Sequence, residues 1–250
     1  MSRFRAVSAI LLWTISCLLL STPAQAGTAD GILRDSHIFG DAPNLSILAT
    51  MTIDSGSGTS VRGIEVYVAR DERISVRMLA QVRHPAFLRN MKFLMHRNED
   101  GRTDFWMRTS HGVRRLTGGN RDERLFGSDF TVEDFLYIDP SGYRLTLRPS
   151  EDAEKYVIDG ELRTPAPDHH AKVFFVNRAT GLIDRVEYVG SNGAIVKVYE
   201  LLSTQLTSGR TFPHEALMSD LVTGTSTRLT IDSVDNAAAI PPRLFNPGAL

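Results

Sequence analysis

A two-residue alternation of apolar and polar side chains runs through much of this sequence and restricts its fold more than any other feature. Between Leu45 and Ile53 the odd positions are Leu, Ile, Ala, Met and Ile, whereas the even positions are mostly Ser and Thr. Segments 73–80 and 143–148 alternate in the same way. Since successive side chains of a strand point to opposite faces, the pattern predicts strands with one buried and one wet face, which is typical of antiparallel sheets.

The segments between these strands predict how the strands are connected. Turn-forming sequences such as Ser55–Gly58 separate about a dozen alternating segments, and no strand–helix–strand order is present. We therefore expect an antiparallel meander that forms one curved sheet, with a short helix over 28–39. The main interruption is the polar, Gly-rich stretch Thr117–Gly142, where we expect a short helix over 131–135.

The N-terminus has the pattern of a secretory signal. Two arginines precede an apolar run over 6–20, shorter than the roughly 20 residues that a spanning helix needs, and Ala24–Ala26 matches a cleavage site. We predict a cleaved signal peptide over residues 1–26 and a single domain over 27–250. An uncleaved membrane anchor and lipidation at Cys17, the single cysteine, are the less favoured alternatives. Without Cys17 the mature chain has no disulfide.

Composition and charge restrict the classes of partner. The formal net charge is −1, and loss of residues 1–26 leaves 26 basic and 29 acidic residues. A domain this close to neutral gives no electrostatic reason to predict nucleic-acid binding. Hydrophobic residues make up 42% of the chain, which is enough for a sizeable core.

The sequence contains no catalytic signature that we recognise. It has no Gly-x-Ser-x-Gly elbow, no phosphate-binding Gly-Lys-Ser/Thr loop and no cysteine pair. His169–His170 would point to opposite faces of a strand, so we expect no metal site. Asp129, Glu133 and Asp134 cluster, but acidic residues at the start of a short helix more often bind its amides. We expect neither an enzyme nor a cofactor; a lipid hydrolase that uses Asp129, Glu133 or His111 is a minor alternative.

Methionines are concentrated in the first half of the predicted sheet. Most of them share the apolar parity of their strands with Phe93 and Phe105, and methionine suits surfaces that fit varied apolar partners. This face either lines a cavity for acyl chains or fills a curved core, and both interpretations stay open. Trp106, Arg77 and Arg108 have the opposite parity, so we expect Trp106 beneath a covering helix and the arginines at the rim or outside. The residues predicted by parity to contact a ligand are Met51, Ile64, Val66, Met78, Phe93, Met95, Phe105, Met107, Tyr143 and Leu145.

The segment Gly127–Phe135, Gly-Ser-Asp-Phe-Thr-Val-Glu-Asp-Phe, resembles a segment of the outer-membrane lipoprotein-sorting protein family, the LolA-like periplasmic proteins. The stretches Asp104–Met107, Thr180–Gly193 and Thr227–Pro247 are similar to family segments in the same order. The likeness covers roughly residues 60–250. The chain departs from the family at Arg108, among other positions, where the family often has a tyrosine.

The resemblance implies both a fold and a function. The fold is an incomplete antiparallel β-barrel of about eleven strands covered by a few short α-helices, LolA/LolB-like, whose apolar inner face holds acyl chains of lipoproteins or lipids. The function is that of a monomeric, non-enzymatic periplasmic carrier with an inner-membrane transporter as its partner. The alternative is an accessory interaction subunit of a lipid exporter of the resistance-nodulation-division type. The motif residues expected to form a structural loop over the barrel mouth are Gly127, Ser128, Asp129, Phe130, Glu133 and Asp134.

Overall fold

The computed structural model describes most of the chain after the predicted signal. The described residues are 28–36, 44–70, 76–100, 102–116, 122–135, 140–149 and 152–250. The predicted signal peptide lies outside them. Among the helices in this part of the chain, none has the length and apolar character needed to cross a membrane.

The strands form one antiparallel sheet of thirteen strands that does not close. The alternating segments predicted these strands, and the one expected over 73–80 is described from Val76 and continues to His84. The count of about eleven strands is too low. The strands are β1 (Asn44–Asp54), β2 (Thr59–Ala69), β3 (Val76–His84), β4 (Lys92–Arg97), β5 (Thr103–Thr109), β6 (Gly112–Leu116), β7 (Tyr143–Leu147), β8 (Lys155–Leu162), β9 (Ala171–Asn177), β10 (Ile183–Val189), β11 (Ile195–Thr207), β12 (Arg210–Asp220) and β13 (Thr225–Asp235).

The chain starts in the middle of this sheet and returns there. Strands β1 to β6 run outward to one edge, and the chain then passes to the opposite edge, where β7 begins. Strands β7 to β13 run back, and β13 pairs with β1, so that Met51 lies between Arg62 and Leu229. The connection between β6 and β7 therefore has to cross one face of the sheet. We call this face the inner face.

Helices contribute little to the described part of the chain. The one α-helix described is α1, Ala29–Asp35, which Thr28 caps by accepting a hydrogen bond from the Gly31 amide, and its Leu33 is fully buried. The expectation of a few short α-helices is thus wrong for the described residues. The other helical segments are single 3-10 turns, including one in place of the helix expected over 131–135, because segments this short cannot sustain α-helical hydrogen bonding. They are Ala86–Leu88, Leu125–Gly127, Glu133–Phe135, Pro140–Gly142, Pro242–Phe245 and Pro247–Ala249.

The sheet is covered on both faces. Side chains of the inner face form the main core with α1 and the β6–β7 connection. On the outer face, Phe245 and Leu250 of the C-terminal segment pack with Leu79 and Leu94 in a second cluster. Trp106 belongs to this outer cluster, as its parity predicts.

The two arginines of opposite parity also face the C-terminal segment. Arg77 lies 5.0 Å from the centroid of the Phe245 ring, and Arg108 donates a hydrogen bond to the Leu250 carbonyl. His96 Nε2 lies 2.8 Å from the Phe245 carbonyl oxygen. These contacts hold the C-terminal segment on the outer face, away from the inner surface described below.

Candidate functional site

Residues 122–135, which we call the crossing segment, cover part of the inner face. Phe126 and Phe130 of this segment are 4% and 3% exposed. Both side chains line a cavity against β1, β2 and β11 to β13. The crossing segment therefore forms one wall of the cavity, and the sheet forms the rest.

The cavity is almost entirely apolar. Its enclosed volume is about 40 Å³, and the space that includes its open side is about 650 Å³. One water needs roughly 10–15 Å³ of enclosed volume, so only a few waters fit and an acyl chain needs more room. The lining residues are Ile47, Ala49, Met51, Ile64, Val66, Phe126, Phe130, Asp134, Tyr199, Pro213, His214, Ala216, Leu229 and Ile231.

Small side chains and bent strands explain why space remains here. Ala49 and Ala216 occupy inner positions on β1 and β12, where most neighbours are larger. The β1–β13 register shifts between Leu48 and Ala49, and the β11–β12 register shifts on both sides of Ser203. Such bulges increase local twist and separate facing side chains.

The predicted ligand-contacting residues divide between cavity and core. Met51, Ile64 and Val66 line the cavity. Tyr143 is buried near the crossing segment, and Leu145 is partly buried against the same core. The remaining five residues are buried in the core on β3 to β5, outside the cavity lining: Met78, Phe93, Met95, Phe105 and Met107.

The cavity lining also contains residues that the sequence analysis did not select. Ala216, Leu229 and Ile231 come from the second half of the sheet and follow the same alternation, so parity could have found them. Phe126 comes from the crossing segment, where no periodic pattern exists. Ligand contact by the predicted residues stays a prediction.

The Gly-Ser-Asp-Phe motif is a tight turn that directs two phenylalanines into the cavity. Gly127 has a φ of 76° and Phe126 a φ of 55°, so both adopt the left-handed conformation, which is unusual for phenylalanine. The fully buried Ser128 hydroxyl donates to the Leu125 carbonyl at 2.7 Å and accepts the Phe130 amide at 3.2 Å. The Leu125 amide donates to the Phe130 carbonyl at 2.8 Å, which closes the turn.

Asp129 anchors this turn to the sheet. Its carboxylate accepts hydrogen bonds from the Thr225 and Thr227 hydroxyls at 2.6 and 2.7 Å, and its amide donates to the Thr227 oxygen at 2.9 Å. Arg124 contributes an ion pair to Asp129 at 3.0 Å and a second one to Asp220 at 2.5 Å. Because the Asp129 side chain is only 1% exposed, these contacts satisfy a carboxylate that would otherwise be costly to bury.

A second anchor consists of buried charges that the sequence analysis did not foresee. Lys172 on β9 pairs with Glu133 at 2.6 Å, and Lys197 on β11 pairs with Asp134 at 2.7 Å. The two lysine side chains are 5% and 7% exposed. The Tyr188 hydroxyl also donates to Asp134. We call Glu133, Asp134, Lys172, Lys197 and Tyr188 the lysine cluster.

Asp134 has a further structural role within the crossing segment. Its carboxylate accepts the Thr131 amide at 2.7 Å and the Thr131 hydroxyl at 2.9 Å, as in a capping box. The Tyr143 hydroxyl donates to Glu133 at 3.1 Å. Asp134 thus binds an amide of this short turn as expected, but Glu133 and Asp134 also bind hydroxyls and two buried ammonium groups.

The electrostatics of the cluster keep its ion pairs charged. Burial alone would raise the pKa of Asp134, but the Lys197 and Lys172 ammonium groups lower it to about 2. Burial likewise opposes ionisation of Glu133, and Lys172 brings the pKa of Glu133 below its ordinary value. Burial lowers the pKa of Lys172, but the nearby Tyr143, Glu133 and Asp134 raise it above its ordinary value. At neutral pH Glu133, Asp134 and Lys172 are therefore ionised.

His169 borders the lysine cluster. Its Nδ1 lies 2.7 Å from Asp168, and its ring packs edge-on against Tyr188 at 5.1 Å between centroids. Its Nε2 is buried, makes no hydrogen bond, and lies 3.9 Å from a Glu133 oxygen. Across the described ranges, no three His, Cys, Asp or Glu side chains are grouped so as to hold a metal ion.

Solved structures of LolA-like proteins share the fold of this open antiparallel sheet. A domain from Vibrio parahaemolyticus, described as that of an outer membrane lipoprotein-sorting protein, has a TM-score of 0.75 at 19% identity, over 83% of this chain and 91% of that one. A LolA superfamily protein from Nitrosomonas europaea has a TM-score of 0.68 at 18% identity, over 90% and 100% of the two chains. At these identities the likeness shows the fold alone.

A third solved structure shares the fold, and a protein-family model shows the family. A DUF1329 family protein from Desulfovibrio piger has a TM-score of 0.73 at 18% identity, over 84% of this chain and 92% of that one. A protein-family model described only as "Uncharacterized protein" matches residues 75–250, and the chain therefore belongs to that family. A search of the curated proteins found no match.

Proposed function

We propose that this protein is a periplasmic carrier that shelters acyl chains of lipids or lipoproteins in the inner-face cavity. The observation that carries the proposal is that two phenylalanines of the crossing segment, Phe126 and Phe130, form one wall of the apolar cavity. These side chains occupy space that a hydrocarbon chain would take. The fold supports the proposal, since a lipoprotein-sorting domain shares it.

The energetics of such a carrier favour a cavity that its own side chains partly fill. Burying one methylene is worth about 0.8 kcal/mol, so a 16-carbon chain represents roughly 12 kcal/mol. A carrier that gained all of this free energy would not release its cargo. If Phe126 and Phe130 leave when the chain enters, their exposure is subtracted from the gain, and the net affinity falls into a range that allows transfer.

The finer parts of the proposal extend the sequence analysis. Residues 1–26 would direct the chain to the periplasm and be removed there, and residues 27–250 would act as one monomeric domain. No bond of the cargo needs to be made or broken, so the proposed role is not enzymatic. An inner-membrane transporter that loads the carrier stays a prediction.

The experiment compares two alanine-to-leucine variants with the wild-type protein. Purified protein is extracted for lipid mass spectrometry, and uptake of a fluorescent acyl probe is then titrated. Ala216 lines the cavity, whereas Ala80 is also buried, on β3 in the packed core. Ala216→Leu should abolish probe uptake, and Ala80→Leu should lower stability but leave uptake measurable. Absence of both bound lipid and probe uptake in the wild type would refute the carrier.

A further inference from the structure

Building on the carrier function proposed above, we infer that the cargo has an anionic head group, a carboxylate or a phosphate, which binds Lys172 and Lys197. In this view Glu133 and Asp134 occupy the head-group site while the cavity is closed. The cargo is then an acidic amphiphile rather than a neutral lipid.

The two lysines flank Tyr188 as its cross-strand neighbours on β9 and β11. Their Nζ atoms lie 4.5 and 4.8 Å from the centroid of the Tyr188 ring. Both ammonium groups are almost fully buried and attract anions strongly, because little water screens them. The site also adjoins the cavity, since Asp134 is one of the residues that line it.

The same segment carries the apolar and the anionic groups that close the site. Phe126 and Phe130 fill the cavity wall, and Glu133 and Asp134 follow within a few residues and neutralise the lysines. When the segment moves to admit an acyl chain, both lysines lose their counter-ions. An uncompensated buried charge is strongly unfavourable, so neutral cargo would have to overcome that cost. Anionic cargo supplies the missing charge and avoids it.

Hydrogen-bonding groups around the lysines suit an anionic oxygen. The hydroxyls of Tyr188 and Tyr143 now donate to Asp134 and Glu133, and the same hydroxyls could donate to a head group. His169 is 5% exposed, and its Nε2 makes no hydrogen bond. Buried polar atoms in native structures are nearly always hydrogen-bonded, and a head-group oxygen in place of Glu133, which lies 3.9 Å away, would give this nitrogen a partner.

The test uses three ligands with the same 16-carbon chain: palmitate, hexadecyl phosphate and hexadecanol. Each displaces an uncharged fluorescent acyl probe from the purified protein. We expect the better of the two anions to bind at least tenfold more tightly than hexadecanol. Comparison of palmitate with hexadecyl phosphate then distinguishes a carboxylate from a phosphate as the head group.

Two substitutions separate head-group binding from a merely structural ion pair. Asp134→Asn removes the internal competitor of Lys197, so the affinity for the anions should rise several-fold relative to that for hexadecanol. Asp129→Asn weakens the attachment of the same segment at a position that does not contact the lysines. It should therefore change the affinities for all three ligands by the same factor. If the ion pair were only structural, Asp134→Asn would give the same uniform change as Asp129→Asn.

A double variant keeps the test interpretable if a single lysine substitution prevents folding. Lys197→Met with Asp134→Asn leaves no unpaired charge, and it should reduce the preference for the anions several-fold, with the remainder due to Lys172. Equal affinities of the wild type for all three ligands would overturn the inference and leave the carrier function intact. Failure of all three to bind would refute the carrier itself, and the inference with it.

Discussion

Replacing Phe130 by alanine should weaken the fold and strengthen cargo binding, because the same ring fills the cavity wall and competes with an acyl chain. Phe130 is 3% exposed, and its ring packs edge-on against Tyr199 at 6.5 Å between centroids. Losing its buried surface costs about 2 kcal/mol, and a residual cavity on the order of 80 Å³ costs about 2 kcal/mol more. The free energy of unfolding should therefore fall by about 4 kcal/mol.

Phe174 provides the matched control. It is 1% exposed and packs against Tyr143 at 5.7 Å, but it does not line the cavity. Phe174→Ala should lower the free energy of unfolding by a similar amount, and the affinity for the acyl probe should not rise. Phe130→Ala should bind the probe more tightly than the wild-type protein does.

Urea denaturation with and without a saturating acyl ligand measures both effects. A ligand at 100 times its Kd stabilises the folded state by about 2.7 kcal/mol. Since Phe130→Ala lowers the Kd, a fixed ligand concentration should restore more stability to it than to the wild type or to Phe174→Ala. Equal ligand-induced stabilisation of the Phe130 and Phe174 variants would refute the competition between this ring and the cargo.

Three further predictions concern the anchors and the turn of the crossing segment. Because the pKa of Asp134 is lowered from 3.8 to about 2, its ionised form stabilises the fold above pH 4, and this stabilisation is lost as the pH falls toward 2. Between pH 5 and pH 2 the free energy of unfolding, measured by urea denaturation, should fall by about 2 kcal/mol more in the wild type than in Asp134→Asn. Thr227→Val removes two hydrogen bonds from the buried Asp129 and should cost about 1–3 kcal/mol in urea denaturation, and no loss would show that this anchor is dispensable. Gly127→Ala should lower the free energy of unfolding by about 1–2 kcal/mol, because Gly127 has a positive φ. Gly58 has open space around it, so Gly58→Ala should leave the melting temperature nearly unchanged. Equal effects of the two substitutions would argue against backbone strain at Gly127.

The sequence predicts the strands well because their burial alternates with the period of the strand. Leu45 to Ile53 alternates in the structure as it does in the sequence, since the polar side chains face outward and the apolar ones inward. The pattern does not predict which strands become edges, and it cannot separate a cavity-lining position from a packed one. The side chains of Met51 and Met78 both lie on the inner face and are both 1% exposed, but only Met51 lines the cavity.

The alternation of inward and outward positions along a strand could have indicated that the two lysines of the lysine cluster are buried, but it does not identify their partners. Lys172 shares the inner parity of Phe174 and Val176 on β9, and Lys197 shares that of Tyr199 on β11. A lysine at an apolar position requires a buried partner. The partners lie in the crossing segment, far away in sequence, so only the fold shows that Glu133 and Asp134 supply them.

The arrangement of the crossing segment explains how a carrier can bind strongly and still release its cargo. An acyl chain would replace the apolar contacts of Phe126 and Phe130, and an anionic head group would replace the carboxylates of Glu133 and Asp134. Each interaction lost is exchanged for one of the same kind, so the net free energy is a small difference between large terms. The Asp129 anchor has no counterpart in such a cargo; it can keep the segment attached near the cavity, and the segment then competes for the site at high effective concentration. Return of the segment is therefore the step that we expect to drive release.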